Sequence, residues 1–213
     1  MGKIFVIMGK TSSGKDTIFK LLMEHLTKLR GEEKAPKTVV IYTTRPMRLG
    51  ETNGVEYYFA TEEQLQKLRE EGKVIEERRF DTVHGPWYYF TVNDGQINLE
   101  QQDYLMINTL AGYEMIRDYY KEENSTEENV IPIYIEADAK ERLLRYINRE
   151  SKQAKPNYSE VCRRFLADEA DFAEAELDRL GITGRYYNED LETCCREIIQ
   201  DMEALFERGQ SHG

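Results

Sequence analysis

The chain has 213 residues, of which 40% are hydrophobic and 32% are charged. Its 29 basic and 40 acidic residues give a net charge of −11, which argues against nucleic acid or an anionic membrane as a partner. A phosphate ligand would therefore need a local cluster of arginine and lysine. The length fits one domain, or one domain with insertions, and no apolar run approaches the roughly 20 residues that span a bilayer.

The cysteine content predicts a reducing compartment. Cys162, Cys194 and Cys195 are odd in number and two of them are adjacent, which is typical of free thiols rather than of a disulfide framework. Residues 1–8 lack the charged start, long apolar middle and cleavage site of a signal peptide. We therefore expect a cytoplasmic protein.

The first elements in the chain predict the beginning of a parallel α/β sheet. Residues 4–8 form a short, continuous apolar run that predicts a buried strand. Residues 17–30 repeat apolar side chains at helical spacing, with Gly31 just beyond the end. Residues 37–42 read as a second strand, and the order strand, loop, helix, strand is that of a parallel α/β unit.

The loop between the first strand and the first helix has the residues of a phosphate-binding loop. Its sequence, GKTSSGKDT at residues 9–17, meets seven of the eight positions of G-x-x-x-x-G-K-[S/T], with Asp16 where a hydroxyl residue is expected. Glycines permit a tight turn with inward N–H groups, and the helix N-terminus adds its dipole. We expect this loop to bind ATP through Gly9, Ser12, Ser13, Gly14, Lys15, Asp16 and Thr17.

A different pattern occupies residues 43–92, and it predicts a small α+β insertion. The segment 43–54 is rich in turn residues and is followed by a strand over 55–60. Thr61 and Gln64 form a capping box that opens a helix ending near Gly72. Two further strands are predicted over 73–79 and 87–92.

The sheet pattern resumes after the insertion, so we expect the core to comprise residues 1–42 and 93–213. Pro132 argues that its strand ends early or lies toward an edge, and Asp138 is a plausible helix cap. The predicted elements are strands at 103–108, 130–135 and 184–187, helices at 111–121, 138–149, 159–180 and 191–208, and polar loops at 121–129 and 150–158.

The insertion carries a candidate site for a phosphate monoester. Arg45 and Arg48 lie three apart in a turn-rich loop, and Tyr57 follows. Two planar guanidinium groups and a phenol suit a dianionic phosphate, although a solvated basic patch would have the same composition. Glu76 lies beside apolar residues on a strand, where it either accepts two N–H groups from a purine edge or simply faces solvent.

These motifs resemble those of the guanylate kinases over nearly the whole chain. Residues 9–17 are similar to the phosphate loop of that family, and TTRPMRLGETNGVEYYF at 43–59 is similar to its signature T-T-R-x-x-R-x-G-E-x-x-G-x-x-Y-x-F. The resemblance implies a P-loop NTPase fold, with a three-layer α/β/α core, a parallel central sheet, a nucleoside-monophosphate-binding insertion and a lid. It also implies transfer of the γ-phosphate of ATP to GMP, with Mg²⁺ as cofactor.

The resemblance also implies roles for individual residues. Arg45, Arg48 and Tyr57 would bind the acceptor phosphate, and Glu76 would read guanine. Tyr88 or Tyr89 matches a second phosphate-binding tyrosine. If Tyr89 is the match, Thr91 takes the place of a small hydroxyl residue that reads guanine. The GMP-binding residues implied are thus Arg45, Arg48, Tyr57, Glu76, Tyr88, Tyr89 and Thr91.

The catalytic residues implied are Lys15, Arg45 and two lid arginines, Arg149 and Arg164, in a lid over about residues 149–165. The alternative for Arg164 is an i,i+4 ion pair. Asn188 matches a family segment near the adenine, or else caps the last helix.

The chain departs from the family at three places. Asp16 replaces the hydroxyl that usually ligates Mg²⁺, and because a carboxylate suits a hard cation we expect Asp16 to bind the metal. The strand at 104–109 lacks the aspartates of the family, for which Asn108 or Thr109 would substitute by hydrogen bonding. Ile41 and Tyr42 stand where the family often has serines.

These departures leave two alternatives to GMP phosphorylation. One is a kinase of a phosphorylated sugar such as ribose bisphosphate. The other is a non-catalytic, guanylate-kinase-like module that binds a phosphorylated ligand, against which the retained Gly14 and Lys15 argue. The sequence does not predict an oligomeric state.

Overall fold

The computed structural model describes residues 1–48, 50–82, 85–124 and 129–210. Leu49 of the signature and residues 125–128 of the predicted polar loop lie outside this range. The strands are β1 (Ile4–Met8), β2 (Lys37–Thr38), β3 (Tyr42–Thr43), β4 (Tyr58–Phe59), β5 (Val74–Thr82), β6 (Gly85–Val92), β7 (Tyr104–Ile107), β8 (Val130–Glu136) and β9 (Tyr186–Tyr187). The helices are α1 (Lys15–Arg30), α2 (Glu62–Glu70), α3 (Leu110–Asn124), α4 (Ala139–Glu150), α5 (Tyr158–Asp171), α6 (Glu174–Arg179) and α7 (Leu191–Gln210).

The larger sheet has five parallel strands in the order β2-β7-β1-β8-β9. β1 lies at its centre, and all five of its residues are fully buried. Because side chains alternate along a strand, Ile4, Val6 and Met8 pack on the side of α3 and α6, whereas Phe5 and Ile7 pack on the side of α1 and α7. The predicted three-layer arrangement around a parallel sheet is thereby confirmed.

The smaller sheet has the order β4-β3-β6-β5, with β3 and β4 parallel and the other pairs antiparallel. Its strands come from residues 42–92. The capping box at Thr61 is present, and Thr61 and Gln64 satisfy each other's backbone N–H groups. The predicted domain boundaries at residues 43 and 92 remain predictions.

The prediction of one strand over 37–42 is wrong, because this segment contributes to both sheets. β2 pairs with β7, and β3 pairs with β4 and β6. Between them, the N–H and carbonyl groups of Val40 bond to the side-chain amide of Gln96 at 2.9 and 3.2 Å. Gln96 lies on the segment that returns the chain from the smaller sheet to the larger one, so this side chain joins the outgoing and incoming connections.

Two other predicted strands are corrected. β4 comprises only two residues of the predicted strand at 55–60. β8 continues through Pro132 to Glu136 and is not an edge strand, because β9 pairs with its last two residues. Along a parallel pair, alternate residues of a strand hydrogen-bond to its neighbour. The N–H of Ile4 in β1 donates to the carbonyl of Asn129, so the odd-numbered residues of β8 are those that hydrogen-bond to β1. The nitrogen of Pro132, which has no hydrogen to donate, therefore faces the opposite side of β8. On that side the pairing with β9 begins only at Ile135.

The predicted long helix over 159–180 is two helices, α5 and α6, with a break at Phe172 and Ala173. Phe172 has non-helical backbone angles, is buried, and stacks on Tyr134 with ring centroids 5.6 Å apart. The end of α5 therefore coincides with the burial of this ring. In the described part of the chain, no helix has the length and hydropathy of a membrane span.

Candidate active site

The glycine-rich loop joins the end of β1 to the start of α1 at the carboxyl edge of the parallel sheet. The N–H of Ser13 donates to the Lys10 carbonyl at 3.1 Å, which closes the turn. Ser12 has a φ of 63° and Gly14 a φ of 96°. A Cβ on Gly14 would overlap the side-chain amide of Asn188, so only glycine fits there.

Asn188 supports this loop from the side. Its Nδ2 donates to the Ser13 carbonyl at 2.7 Å, and its backbone N–H donates to the carbonyl of Glu136 at 2.8 Å. Asn188 is buried, so it fixes the loop to the end of β8. The predicted helix-cap role is wrong, because Asp190 accepts from the N–H of Thr193 and caps α7 instead. The adenine contact stays a prediction.

Lys15, Asp16 and Thr17 form the first turn of α1. Lys15 Nζ lies 3.9 Å from Asp16 Oδ2, and the Asp16 side chain is 76% exposed. Among the described residues, no cluster of three or more histidine, cysteine or acidic side chains would hold a metal. Mg²⁺ commonly needs only one or two carboxylates when phosphate oxygens and water complete its shell, so Asp16 fits this ion as a single protein ligand.

Two carboxylates of α5 contact the loop, and the sequence analysis missed both. Asp168 Oδ2 accepts from the backbone N–H of Thr11 at 2.5 Å, and Glu169 Oε2 pairs with Lys10 Nζ at 2.6 Å. Glu169 also pairs with Arg142 of α4, which is 2% exposed. Burial alone would raise the pKa of Glu169, but Lys10 and Arg142 outweigh burial and lower it.

The two predicted lid arginines lie on exposed faces of α4 and α5. Arg164 Nε pairs with Glu160 Oε1 at 2.7 Å, which is the i,i+4 ion pair named as the alternative. The Arg149 guanidinium lies 4.7 Å from the ring centroid of Tyr146. Within the described residues, no hydrogen bond or ion pair joins Arg149 or Arg164 to the glycine loop. Their catalytic role stays a prediction.

Arg45 is the buried cation of the insertion. Its Nη1 and Nη2 donate to the two carboxylate oxygens of Glu51 at 3.0 and 2.8 Å, and hydrogen bonding to Glu51 raises the pKa of Arg45. Glu51 also accepts from the backbone N–H of Arg48 at 2.7 Å. One carboxylate therefore sets both the direction of Arg45 and the path of the loop that carries the exposed Arg48.

Tyr89, rather than Tyr88, lies beside Arg45 and Tyr57. The ring centroids of Tyr57 and Tyr89 are 5.6 Å apart, and the Arg45 guanidinium is 5.3 Å from the Tyr57 ring. Tyr88 is on the other face of β6, where its ring lies 5.1 Å from the guanidinium of Arg69. Of the two candidates, Tyr89 is thus the one on the side of Arg45 and Tyr57, and its contact with a phosphate stays a prediction.

Glu76 lies in a buried polar cluster. Its Oε1 accepts from Thr91 Oγ1 at 2.9 Å and from Asn108 Nδ2 at 3.1 Å, and all three residues are at least 95% buried. The alternative of a solvent-facing Glu76 is therefore wrong. Thr109, the other predicted substitute for an aspartate, accepts from the N–H of Gly112 in the first turn of α3.

Asn108 brings this cluster to the glycine loop. It follows β7, and its backbone N–H donates to the carbonyl of Ile7 in β1 at 3.1 Å. Because β1 and β7 are adjacent and parallel, their carboxyl ends meet at one edge of the sheet. The side chain of Asn108 holds Glu76 of the smaller sheet against that same edge.

Arg78 is a further residue of this cluster that the sequence analysis missed. Its Nε donates to Glu76 Oε2 at 3.1 Å, and its Nη2 donates to Glu76 Oε1 at 3.3 Å. The sequence could have indicated this contact, because Glu76 and Arg78 are two residues apart on one strand, and such residues share one face. Of the charged residues at 76–79, the sequence analysis considered only Glu76.

The sheet, the glycine loop and the helix that begins at Lys15 define a P-loop α/β protein. The guanylate kinase family model matches residues 1–205, and the chain belongs to this family.

Individual relatives agree with this assignment. The chain is 33% identical over 146 residues to the guanylate kinase of Legionella pneumophila (strain Lens), a match that covers 67% of the chain but only 63% of the relative. It is 27% identical over 201 residues to the guanylate kinase of Methylobacillus flagellatus, covering 92% of the chain and 89% of the relative. The crystal structure of guanylate kinase from Anaplasma phagocytophilum has the same fold, with a TM-score of 0.62 at 22% identity over 95% of this chain and 85% of that one.

Proposed function

We propose that the protein is an ATP-dependent nucleoside monophosphate kinase that transfers the γ-phosphate of ATP to GMP. The observation that carries the proposal is the bond between Asn108 and Glu76, because it holds the candidate acceptor site against the sheet edge that bears the glycine loop. Membership of the guanylate kinase family supports the same reaction. Phosphoryl transfer needs two phosphate sites in line, and little covalent chemistry from the protein.

On the donor side, the loop from Gly9 to Gly14 presents backbone N–H groups, and Lys15 neutralises the β- and γ-phosphates. Asp16, with Thr17 beside it, would hold Mg²⁺ together with phosphate oxygens. The metal, when bound, would neutralise charge that develops between the β- and γ-phosphates.

On the acceptor side, Arg45, Arg48, Tyr57 and Tyr89 bind the phosphate of the monophosphate. Glu51 fixes the orientation of the Arg45 side chain before a ligand binds. The guanidinium group therefore loses little conformational freedom when a phosphate dianion binds. Glu76, Thr91 and Asn108 form the base end of this site.

The lid arginines Arg149 and Arg164 act only after the lid, over about residues 149–165, closes over the glycine loop. Such closure excludes water and brings positive charge to the transferred phosphoryl group. A cytosolic location stays a prediction that rests on free thiols, of which Cys162 is exposed and Cys194 and Cys195 are buried.

Coupled measurement of ADP production tests the proposal, with ATP, Mg²⁺ and each of GMP, dGMP, AMP, CMP and UMP. We expect turnover with GMP that is abolished in Lys15→Ala. Ribose bisphosphate is the comparison acceptor, and turnover with it alone would favour the sugar kinase. Tight binding of a phosphorylated ligand without any ADP formation would indicate the binding module instead.

A further inference from the structure

Glu169 lies between two cations and makes one hydrogen bond with each of them. Its Oε2 accepts from Lys10 Nζ of the glycine loop at 2.6 Å, and its Oε1 accepts from Nη2 of Arg142 on α4. The side chains of Lys10 and Arg142 are 18% and 2% exposed, whereas that of Glu169 is 39% exposed. One carboxylate thus joins α4, α5 and the glycine loop.

The guanidinium of Arg142 is only partly satisfied by this contact. Its Nη1 is buried and has no hydrogen-bond partner among the residues that the structure describes. The ring of Phe165 covers one face of the group, with its centroid 4.8 Å from the guanidinium carbon. A buried donor without a partner is costly, and an arginine binds a carboxylate most strongly when two nitrogens meet two oxygens. Arg142 therefore lacks the second half of such a pair.

Lys10 keeps the second oxygen of Glu169 on the side of the loop. Oε2 has two lone pairs, so Lys10 does not fill it, but the oxygen is turned toward Lys10 and makes no bond with Nη1 of Arg142. When Lys10 leaves, the carboxylate is free to turn Oε2 toward Nη1 and complete the pair. The loss of one ion pair is then offset by a bond to a buried donor.

The position of Lys10 gives it an anionic partner other than Glu169. It is the second residue of the glycine loop, whose N–H groups suit a polyphosphate. The next residue, Thr11, donates its N–H to Asp168, so neighbouring carboxylates of α5 occupy neighbouring donors of the loop. Two carboxylates at these donors indicate that this side of the loop attracts anions, and the phosphates of a nucleotide are such a ligand.

We propose that Lys10 is a second lysine for the phosphates of ATP, and that Arg142 binds both oxygens of Glu169 once Lys10 has left it. Lys10 is then a residue that binds the phosphate donor, and Glu169 and Arg142 are its positioning residues. The inference rests on the proposed function in taking ATP as the ligand. The exchange also strengthens the contact between α4 and α5, the two helices that contribute to the predicted lid.

The affinity for ATP, measured by isothermal titration without an acceptor, tests the role of Lys10. Lys10→Met should raise the Kd about tenfold, as expected for a lost bond to a charged group, and Lys10→Arg should keep it within about threefold. Lys20→Met, at an exposed position of α1, is the control. An unchanged or lower Kd in Lys10→Met would overturn the proposal, because the pair with Glu169 would then only restrain the loop.

Inorganic tripolyphosphate identifies the part of the ligand that Lys10 contacts. It has neither base nor sugar, so its affinity should fall in Lys10→Met by the same factor as that of ATP. A loss confined to ATP would overturn the proposal, because Lys10 would then act on the nucleoside.

A double-mutant cycle tests the exchange with Arg142. Arg142→Met should raise the Kd for ATP about fivefold, because nothing then replaces Lys10 on Glu169. In the background of Lys10→Met the same change should alter the Kd by less than about twofold, since Glu169 is not exchanged. Equal effects in the two backgrounds would overturn the exchange. Lys140→Met, at an exposed position of the same helix, should keep the wild-type Kd.

Thermal unfolding shows whether each variant is folded, because Arg142 is buried. If Arg142→Met does not fold, Arg142→Lys takes its place in the cycle with the same expected effects, since it keeps the cation but has no second nitrogen in a fixed plane. Failure of the two proposals can be told apart. The expected changes in Kd without ADP from any acceptor would refute the kinase and support the role of Lys10. Turnover of GMP by the wild type with an unchanged Kd in Lys10→Met would support the kinase and overturn this inference.

Discussion

The carboxylate of Asp168 accepts a hydrogen bond from the backbone nitrogen of Thr11 at 2.5 Å, so a helix of the predicted lid region already occupies one donor of the glycine loop. Backbone N–H groups of such loops are the donors for a polyphosphate. Under the proposed function, Asp168 and ATP would therefore compete for the same positive region, and the ion pair between Lys10 and Glu169 adds a second link from α5 to the loop.

Asp168→Asn should bind ATP more tightly than the wild type. The change removes a negative charge from the loop and weakens a hydrogen bond worth about 1 kcal/mol, so we expect the Kd for ATP to fall about fivefold. Isothermal titration without an acceptor measures it. Asp171→Asn, an exposed acidic residue of the same helix, is the control, and equal affinities in the two variants would contradict the competition.

Lys15→Ala should abolish phosphoryl transfer while the protein stays folded. Removal of one charged donor from the transferring phosphate typically costs about 100-fold or more in kcat. The rate of ADP formation, with circular dichroism as the check on folding, measures the effect. Lys20→Ala changes an exposed lysine of the same helix and should retain full activity.

Glu51→Gln should weaken acceptor binding more than catalysis. The glutamine keeps the side-chain shape but loses the charge that holds the buried Arg45. We expect KM for GMP to rise about tenfold with a smaller change in kcat. Steady-state kinetics provides the comparison with Glu56→Gln, since Glu56 is exposed and accepts a backbone bond from Thr52. A larger loss in kcat than in KM would disagree with this role.

Asn188→Ala should loosen the glycine loop. The variant leaves the buried carbonyl of Ser13 without its side-chain donor, which costs about 1–3 kcal/mol of stability. The Kd for ATP should rise about fivefold, because the loop must then be ordered on binding. Urea unfolding and ATP titration are the two measurements. Asn148→Ala, at an exposed position of α4, should change neither.

Cys194 should make the fold sensitive to high pH. Burial raises the pKa of its thiol to about 12, against about 8.5 for a free cysteine. The folded state thus holds the proton more tightly, and the stability gained below pH 8.5 or so is lost as the pH rises toward about 12. Urea midpoints between pH 8 and 10 should fall less steeply in Cys194→Ala than in the wild type. Parallel slopes would contradict the assignment.

The sequence predicted those parts of the fold that depend on residues close together along the chain. The apolar run of β1, the capping box at Thr61 and the cap at Asp138 each depend on residues a few positions apart. The division between β2 and β3 depends on Gln96, more than fifty residues later in the chain. The end of α5 coincides with a ring stack between Phe172 and Tyr134, which lies on another element. Spacing along the chain carries no information on such contacts.

The candidate site divides in the same way. Arg45 and Tyr57 follow from a signature in one segment, whereas choosing Tyr89 over Tyr88 requires the pairing of β5 with β6. Asp168 was missed because an acidic residue on a charged helix is normally solvated. Arg142 was missed because arginine is rarely buried, and its partner Glu169 lies on another helix.

The side chain of Gln96 joins the two connections between the sheets. The chain crosses between its two sheets only twice, near Val40 on the way out and near Gln96 on the way back, and one amide ties the two crossings together. Two connections that are joined at one point resist sliding and stretching, but they permit rotation about that point. A rotation of the smaller sheet about this point would leave the ladder bonds of both sheets intact, but it would break the bond between Asn108 and Glu76, so that bond opposes the rotation.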